Sequence, residues 1–349
     1  MKQELNLQNN TPLINFGNLK SRKYAVSVKY FEKGEQKPSK RIDYISEIII
    51  TSSQKEYFFT ISKENIWFNQ HEPDLINEMI ADELSKIIYP IQAKINDKGE
   101  FLGITNFNQI ANSRWHRNKL RATQKYTTEI AQRFYQAFEK NIESRSVFEK
   151  SLQYDWFWNL LFHPKYIDYG NENSLKTSLF LAVVPYEFPI QFTGKQTINT
   201  QITVYHSVEI KFTSDEIAAH SYFVPKNNKA DQVFMKLNVY FDLDVYYLLP
   251  MHVRAYFEVY YKDLEGKEIP IKRVEFTQYQ EETEKNKTVP PEKRSAFLVY
   301  NEEEDEDKEV YMTYEGKNYT YKQWKIFEEE QYKIYTEKKK KKGFWDFFG

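Results

Sequence analysis

The amino-acid sequence predicts an α+β protein, and three features carry that expectation. Runs in which apolar and polar residues alternate, the pattern of half-buried strands, recur between Tyr24 and Tyr279. Stretches with a helical apolar rhythm are concentrated between residues 75 and 162. Aromatic residues make up 17% of the chain, with 27 Tyr and 26 Phe against 10 Gly, a bias that suits ring-lined sheets and a large core.

Residues 1–22 are polar and weakly patterned and read as an arm. Tyr24, Val26, Val28 and Tyr30 alternate into the turn cluster Gly34–Pro38, and strand-like runs follow at Ile42–Thr51 and Tyr57–Phe68. Pro73 stands where a first helical residue is expected, ahead of the stripe Leu75/Ile76, Met79/Ile80, Leu84, Ile87/Ile88, which stops before Pro90. Ile91, Ala93 and Ile95 lead through Asn96-Asp97-Lys98-Gly99 into a returning strand at Phe101–Ile104, a hairpin. Asn106 is placed to cap a helix reaching about Leu120. Tyr126, Ile130, Phe134, Phe138 and Ile142 recur every four residues, and a third helix is expected from Val147 to Phe162, ending at His163-Pro164.

Past that point the period changes to two. Phe188, Ile190 and Phe192 alternate, then Ile202 to Phe212, which puts His206 in phase with an apolar face. Ser214–Phe223 reads as a short helix capped by Ser214, with Asp215 and Glu216 in its first turn. The clearest strand pattern runs from Val233 to Tyr247, resumes from Met251 to Tyr261 after Pro250, and returns around Lys272–Tyr279. These runs predict a largely antiparallel sheet with one buried face.

The expected organisation is therefore an arm (1–22), a mixed α+β region (23–162) and a β-rich region (163–280). A charged linker follows (281–309), containing the acidic run Glu302–Asp307, then a hairpin plus helix (310–337) and a terminal segment (338–349).

Composition excludes several classes of chemistry. With no Cys, the chain has no thiol nucleophile, disulfide, zinc–thiolate or iron–sulfur site. The phosphate-binding glycine patterns, HExxH and GxSxG are absent, so no enzyme class is indicated and no cofactor or metal is expected. Neither a leader-like apolar run near Met1 nor an 18-residue apolar window is present, which together with the missing Cys leads to the expectation of a cytoplasmic protein.

A few local groupings merit a chemical reading. His71-Glu72-Pro73-Asp74 offers metal-ligand types, but at a corner before a helix. Glu216 and His220 lie four apart on the expected helix, where surface pairing explains the spacing. His206 reads as a buried neutral imidazole. Asp242 and Asp244 alternate on one strand, about 7 Å apart, a spacing open to acid/base work or to a solvated sheet face. Arg114, Arg117, Lys119 and Arg121 form a basic cluster around Trp115. A formal net charge of −1 argues against nucleic acid there, and a core Trp with a solvated basic face predicts the same letters.

The segment 338–349 is the most distinctive. Lys338, Lys339, Lys340, Lys341 and Lys342 precede Phe344, Trp345, Phe347 and Phe348, a composition suited to docking on a partner protein or on an anionic membrane surface. The leading expectation is thus a non-catalytic component of a larger cytoplasmic assembly, phage-like or secretion-type, that meets other proteins through this segment and through aromatic sheet faces. The alternative is a small-molecule or lipid-binding module with an apolar cavity between sheet and helices. A hydrolase built on Asp242 and Asp244 is the third.

Overall fold

A computed structural model describes residues 11–16, 21–53, 56–185, 187–224, 233–263 and 265–281, together with the backbone of residues 312–314 and 317–319. The chain divides into two compact units, 1–283 and 284–349.

Unit 1 is dominated by one antiparallel sheet of twelve strands. In chain order these are β1 (Ser21–Glu32), β2 (Lys40–Ser53), β3 (Glu56–Phe68), β4 (Ile91–Ile95), β5 (Phe101–Ile104), β6 (Ser174–Leu181), β7 (Ile190–Asn199), β8 (Ser207–Ser214), β9 (Ile217–Ala218), β10 (Val233–Asp244), β11 (Pro250–Lys262) and β12 (Glu268–Gln280). Five α-helices lie between β3 and β6: α1 (Ile76–Ile88), α2 (His116–Lys125), α3 (Glu129–Asn141), α4 (Arg145–Leu152) and α5 (Trp156–Phe162). In unit 2 the described backbone is a short hairpin, β13 (Met312–Tyr314) with β14 (Lys317–Tyr319), where alternation predicted one.

The strand order is β5-β4-β3-β2-β1-β12-β11-β10-β8-β7-β6, with β9 beside β10. The first strand pairs with the last of this unit, Tyr24 opposite Gln280 and Val28 opposite Phe276, so segments 23–162 and 163–280 contribute to a single sheet. Along β10 the odd residues Val233 to Leu243 are buried and the even ones half-buried, the period-two burial expected of a sheet with one core face. On the β6–β8 side the sheet curves strongly. Phe192 on β7 and Phe257 on β11 are three strand positions apart, about 14 Å on a flat sheet, yet their rings meet at 5.9 Å. At Gly194 a β-carbon would fall 2.2 Å from the Thr213 carbonyl oxygen, so only glycine permits the close β7–β8 approach.

The helices pack on the core face, and α5 is their centre. Its sequence, WFWNLLF, is apolar almost all round, and five of its side chains are buried. Phe157 meets Tyr44 of β2, Trp158 meets Phe101 of β5, and Trp156 meets Phe276 of β12. Asp155 caps the helix by accepting from the Phe157 amide at 2.9 Å.

Several elements differ from expectation for identifiable reasons. The stretch expected as one helix from Val147 to Phe162 is two, α4 and α5, separated where Asp155 takes the cap position. The helix expected over Ser214–Phe223 does not form: Ser214 ends β8, Ile217–Ala218 pair with β10, and only Ser221–Phe223 make a 3₁₀ turn. The pull of the long β10 edge outweighs the local capping pattern. Residues 203–206 form a turn before β8, so His206 (φ 55°) is exposed rather than buried on a strand face. On α3 the buried face is Ala131, Tyr135 and Phe138, while Ile130 and Phe134 lie at the surface. A four-residue repeat drifts about 40° per step around a 3.6-residue helix, so a long i, i+4 series cannot stay on one face. Pro73 precedes α1 by a short loop, and Asn106 bonds Gln92 and Pro90 near β4 instead of capping a helix. Gln109–Trp115 form a π-helical stretch leading into α2.

Behind α5 lies a buried polar cluster. Lys165, 1% exposed, donates to the carbonyls of Leu160 (3.1 Å), Leu161 (2.8 Å) and His163 (2.8 Å), satisfying a helix end that Pro164 cannot extend. His163 bonds Gln196 at 2.6 Å, and Gln196 donates to Tyr169 at 2.7 Å. No carboxylate faces the ammonium among these partners, so burial pushes the Lys165 pKa down to about 7. Burial, reinforced by the Lys165 charge, pushes the His163 imidazole down to about 3. Between about pH 7 and the ordinary lysine value of 10.5, the unfolded chain holds a proton at Lys165 that the folded chain releases. Stability is therefore expected to rise with pH across that window, by up to about 5 kcal/mol. Urea denaturation at about pH 7 and about pH 10 measures the rise, and Lys165→Met is expected to remove most of it.

Candidate functional site

A cleft of about 450 Å³ opens between the core face of β1–β3 and helices α1, α4 and α5. Val28, Ile42, Leu84, Ile88, Phe148 and Leu152 give it apolar walls, and Tyr30, Tyr44, Tyr89 and Tyr154 bring rings with hydroxyl tips.

Its distinctive feature is a charge pair. Lys63 on β3 is in phase with Phe59 and Ile61, so the strand's own geometry turns an ammonium toward the core. Such a group is costly unless paired. Its partner is Asp155, whose Oδ2 accepts from Nζ at 2.6 Å while Oδ1 caps α5. The ammonium also lies 4.1 Å from the ring centre of Tyr44 and 5.4 Å from that of Tyr89. Burial works against the Lys63 charge, but Asp155, Tyr44 and Tyr89 outweigh it and hold its pKa well above the ordinary lysine value. Burial likewise pushes the Tyr44 hydroxyl well above the usual phenol range and Tyr89 up to about 12. The pair adds no net charge, and the ammonium and both hydroxyls remain protonated at neutral pH. On the opposite wall, Ser85 Oγ is buried, lines the cleft and has no hydrogen-bond partner.

The residues singled out by sequence fall elsewhere. The segment with Lys338 to Lys342 and Phe344, Trp345, Phe347 and Phe348 lies outside the described residues. The side chains of the basic cluster each engage another group of the chain. Arg114 donates to the carbonyls of Ile88 (3.0 Å) and Pro90 (2.9 Å), and Arg117 to that of Ser113 at 3.1 Å. Lys119 pairs with Glu139 at 2.5 Å and Arg121 with Glu83 at 3.6 Å. Trp115 is buried against Tyr135 and Phe138, with its Nε1 donating to Glu139 at 3.0 Å, so its ring is not presented for stacking on a base.

Glu216 and His220 take different partners. Glu216 bonds Tyr260 and Lys262, and His220 Nε2 meets Glu187 at 3.0 Å. Asp244 is buried and paired with Arg22, whereas Asp242 meets Arg254 at 3.3 Å. Burial lifts the Asp242 carboxyl above the ordinary aspartate value although Arg254 pulls it down. The two aspartates are thus each committed to a separate base. Among the described residues, no three His, Asp or Glu side chains come together in a metal-holding group, and no helix is long and apolar enough to cross a membrane.

The sequence reading names a cavity between sheet and helices as its alternative but none of the residues that line this cleft, although one signal for them was present: a lysine in phase with the apolar face of a strand, which calls for a buried acid. Comparison with known proteins adds no relative, since no family model matches the chain and no curated protein matches it.

The pair makes an internal prediction. Asp155→Asn keeps a cap acceptor but strands the Lys63 charge, and is expected to cost about 3 kcal/mol. Asp155→Ala, which also removes the cap, is expected to cost about 1 kcal/mol more. Lys63→Met is expected to be milder than either, because the half-exposed carboxylate retains its amide partner. Chemical denaturation of the three variants checks the order.

Proposed function

We propose that this protein is a non-catalytic binding module that takes one small, uncharged molecule, apolar in body and polar at one end, into the cleft between sheet and helices. The observation that carries the reading is the charge-neutral Lys63–Asp155 pair set into an aromatic cleft of about 450 Å³. That volume is in the usual range for small-molecule sites. A ligand with net charge would bring an uncompensated ion to a largely buried place, whereas an uncharged one can take hydrogen bonds from Ser85 and the tyrosine hydroxyls. Binding rather than turnover is favoured because the Lys63 ammonium is held charged and the Tyr44 and Tyr89 phenols are held neutral.

The expectation of an assembly component stands as a second reading. Its Lys/aromatic segment lies outside the described residues, and the observation that favours it is that residues 196–208 and 245–253, at one end of the sheet, contain no Lys, Arg, Asp or Glu.

An uncharged fluorescent probe, N-phenyl-1-naphthylamine, tests the first reading, with native mass spectrometry of the purified chain searching for a co-purified ligand. Saturable binding of one probe per chain is expected, and Ser85→Trp, which fills the cleft, is expected to abolish it. A probe response that survives this substitution, or no binding by either method, overturns the proposal.

A further inference from the structure

The hydrogen-bonding groups of the cleft divide into those already engaged and those left open. Lys63 and Asp155 are engaged: the ammonium donates to Asp155 Oδ2 at 2.6 Å, and Asp155 Oδ1 accepts from the Phe157 amide at 2.9 Å. Ser151 is engaged as a donor, its hydroxyl bonding the Phe148 carbonyl at 2.7 Å.

Tyr44 and Tyr89 are engaged on one side only. Their hydroxyls hydrogen-bond to Lys63, and an ammonium has three donors and no acceptor. Each phenol oxygen therefore accepts, and its own proton turns away from the cation and is left to donate. Burial keeps both phenols protonated, so that proton is present at neutral pH. Ser85 adds a third open hydroxyl, since its Oγ is buried without a hydrogen-bond partner. A buried hydroxyl in that condition costs stability until something bonds it.

Two of the three hydroxyls come from one end of α1. Tyr89 ends that helix, its amide donating to the Ser85 carbonyl at 2.9 Å, and positions four apart are neighbours on a helix surface. Tyr44 comes from β2, and the Lys63 ammonium lies against both tyrosine rings, 4.1 Å from the Tyr44 centre and 5.4 Å from that of Tyr89. Around them the side chains of Leu84, Ile88, Phe148 and Leu152 offer no polar atom. The cleft is thus rich in open donors, because it is built around a cation whose neighbours point their oxygens at it.

Resting on the reading of the cleft as a binding site, we infer that the polar end of its ligand is a carbonyl oxygen with no donor attached, as in a ketone, an ester or a tertiary amide, held by the hydroxyls of Ser85 and Tyr89. A carbonyl oxygen has two lone pairs and can receive two of these protons at once. An amine or a primary amide would bring protons of its own. The only carboxylate lining the cleft among the described residues is Asp155, both of whose oxygens already accept, so those protons would be buried at a cost.

Competition against N-phenyl-1-naphthylamine on the full chain tests the inference. The competitors are 2-acetylnaphthalene, which carries the carbonyl, 2-ethylnaphthalene, which has no polar group, and 1-(2-naphthyl)ethanol, the matching alcohol. The ketone is expected to displace the probe at a concentration about tenfold below that of the hydrocarbon. Its carbonyl stretch, read by infrared difference with a carbon-13 label, is expected to move to lower frequency on binding. Ser85→Ala and Tyr89→Phe each remove one donor and are each expected to cut the ketone's lead over the hydrocarbon to about threefold. Circular dichroism checks that both variants fold, and if Tyr89→Phe does not, Ser85→Ala decides. A ketone no tighter than the hydrocarbon, an alcohol tighter than the ketone, or a lead that survives the substitutions overturns the inference and leaves the cleft as a binding site. If the probe itself does not bind, the binding reading fails and this inference falls with it.

Discussion

Arg22 holds the seam on which the sheet depends. Its guanidinium is 4% exposed and pairs with Asp244, a partner 222 residues away in sequence, while also donating to the carbonyls of Leu249 and Pro250 at 3.3 Å each. Tyr24, one pleat further along β1, donates to the same Pro250 carbonyl at 2.9 Å, and Tyr166 donates to Leu248 at 2.9 Å. A buried ion pair is affordable only when its remaining valences are also met. Here the turn's carbonyls meet Nη1, while Nε has no hydrogen-bond partner among the described residues. The strand that starts the sheet, the turn between β10 and β11, and the segment after α5 are therefore fastened at one place, and β1 is aligned to receive β12.

The same logic recurs around α5. A seven-residue helix is far too short to stand alone, and its stability comes from packing. Its ends nonetheless carry charge of the sign the helix dipole favours, Asp155 at the amino end and Lys165 at the carboxyl end. Asp155 compensates Lys63 as well as the helix amides, so the cleft's polarity is a by-product of how α5 is anchored. Lys165 has no acid of its own and depends on carbonyls alone. This separates a lysine kept charged at the cleft from one pushed toward neutrality in the core.

Much of the fold was legible in the sequence where one physical signal dominated. Period-two burial marks β1, β3, β10, β11 and β12, and the apolar stripe marks α1, because each faces a single continuous core. The strand β6 was not legible, since Ser174–Leu181 sits at the sheet's edge and only Leu179 and Leu181 are buried. The helix expected at Ser214–Phe223 rested on capping letters that lost to strand pairing. The candidate site was less legible than the fold. Lys63 and Asp155 are 92 residues apart, and only the folded chain brings them together. The expectation of a cavity between sheet and helices was general, and the one letter that pointed to its place, Lys63 in phase with Phe59 and Ile61, does not say which acid would meet it. Asp242 and Asp244 are each paired with a base from another strand, Arg254 of β11 and Arg22 of β1, partners that the spacing along β10 does not reveal.

The pairing of β1 with β12 bears on how the chain is made. During synthesis β2 emerges soon after β1 and can cover one of its edges, but the other edge belongs to β12, the last strand of the unit. Until the ribosome has delivered residues 268–280, a twelve-residue strand presents an unpaired row of amides and carbonyls. Long-range closure of this kind is slow, and open strand edges are where nascent chains stick to one another. Lys23, Lys29 and Glu32, spaced along β1, give that waiting edge a charge while it stands open.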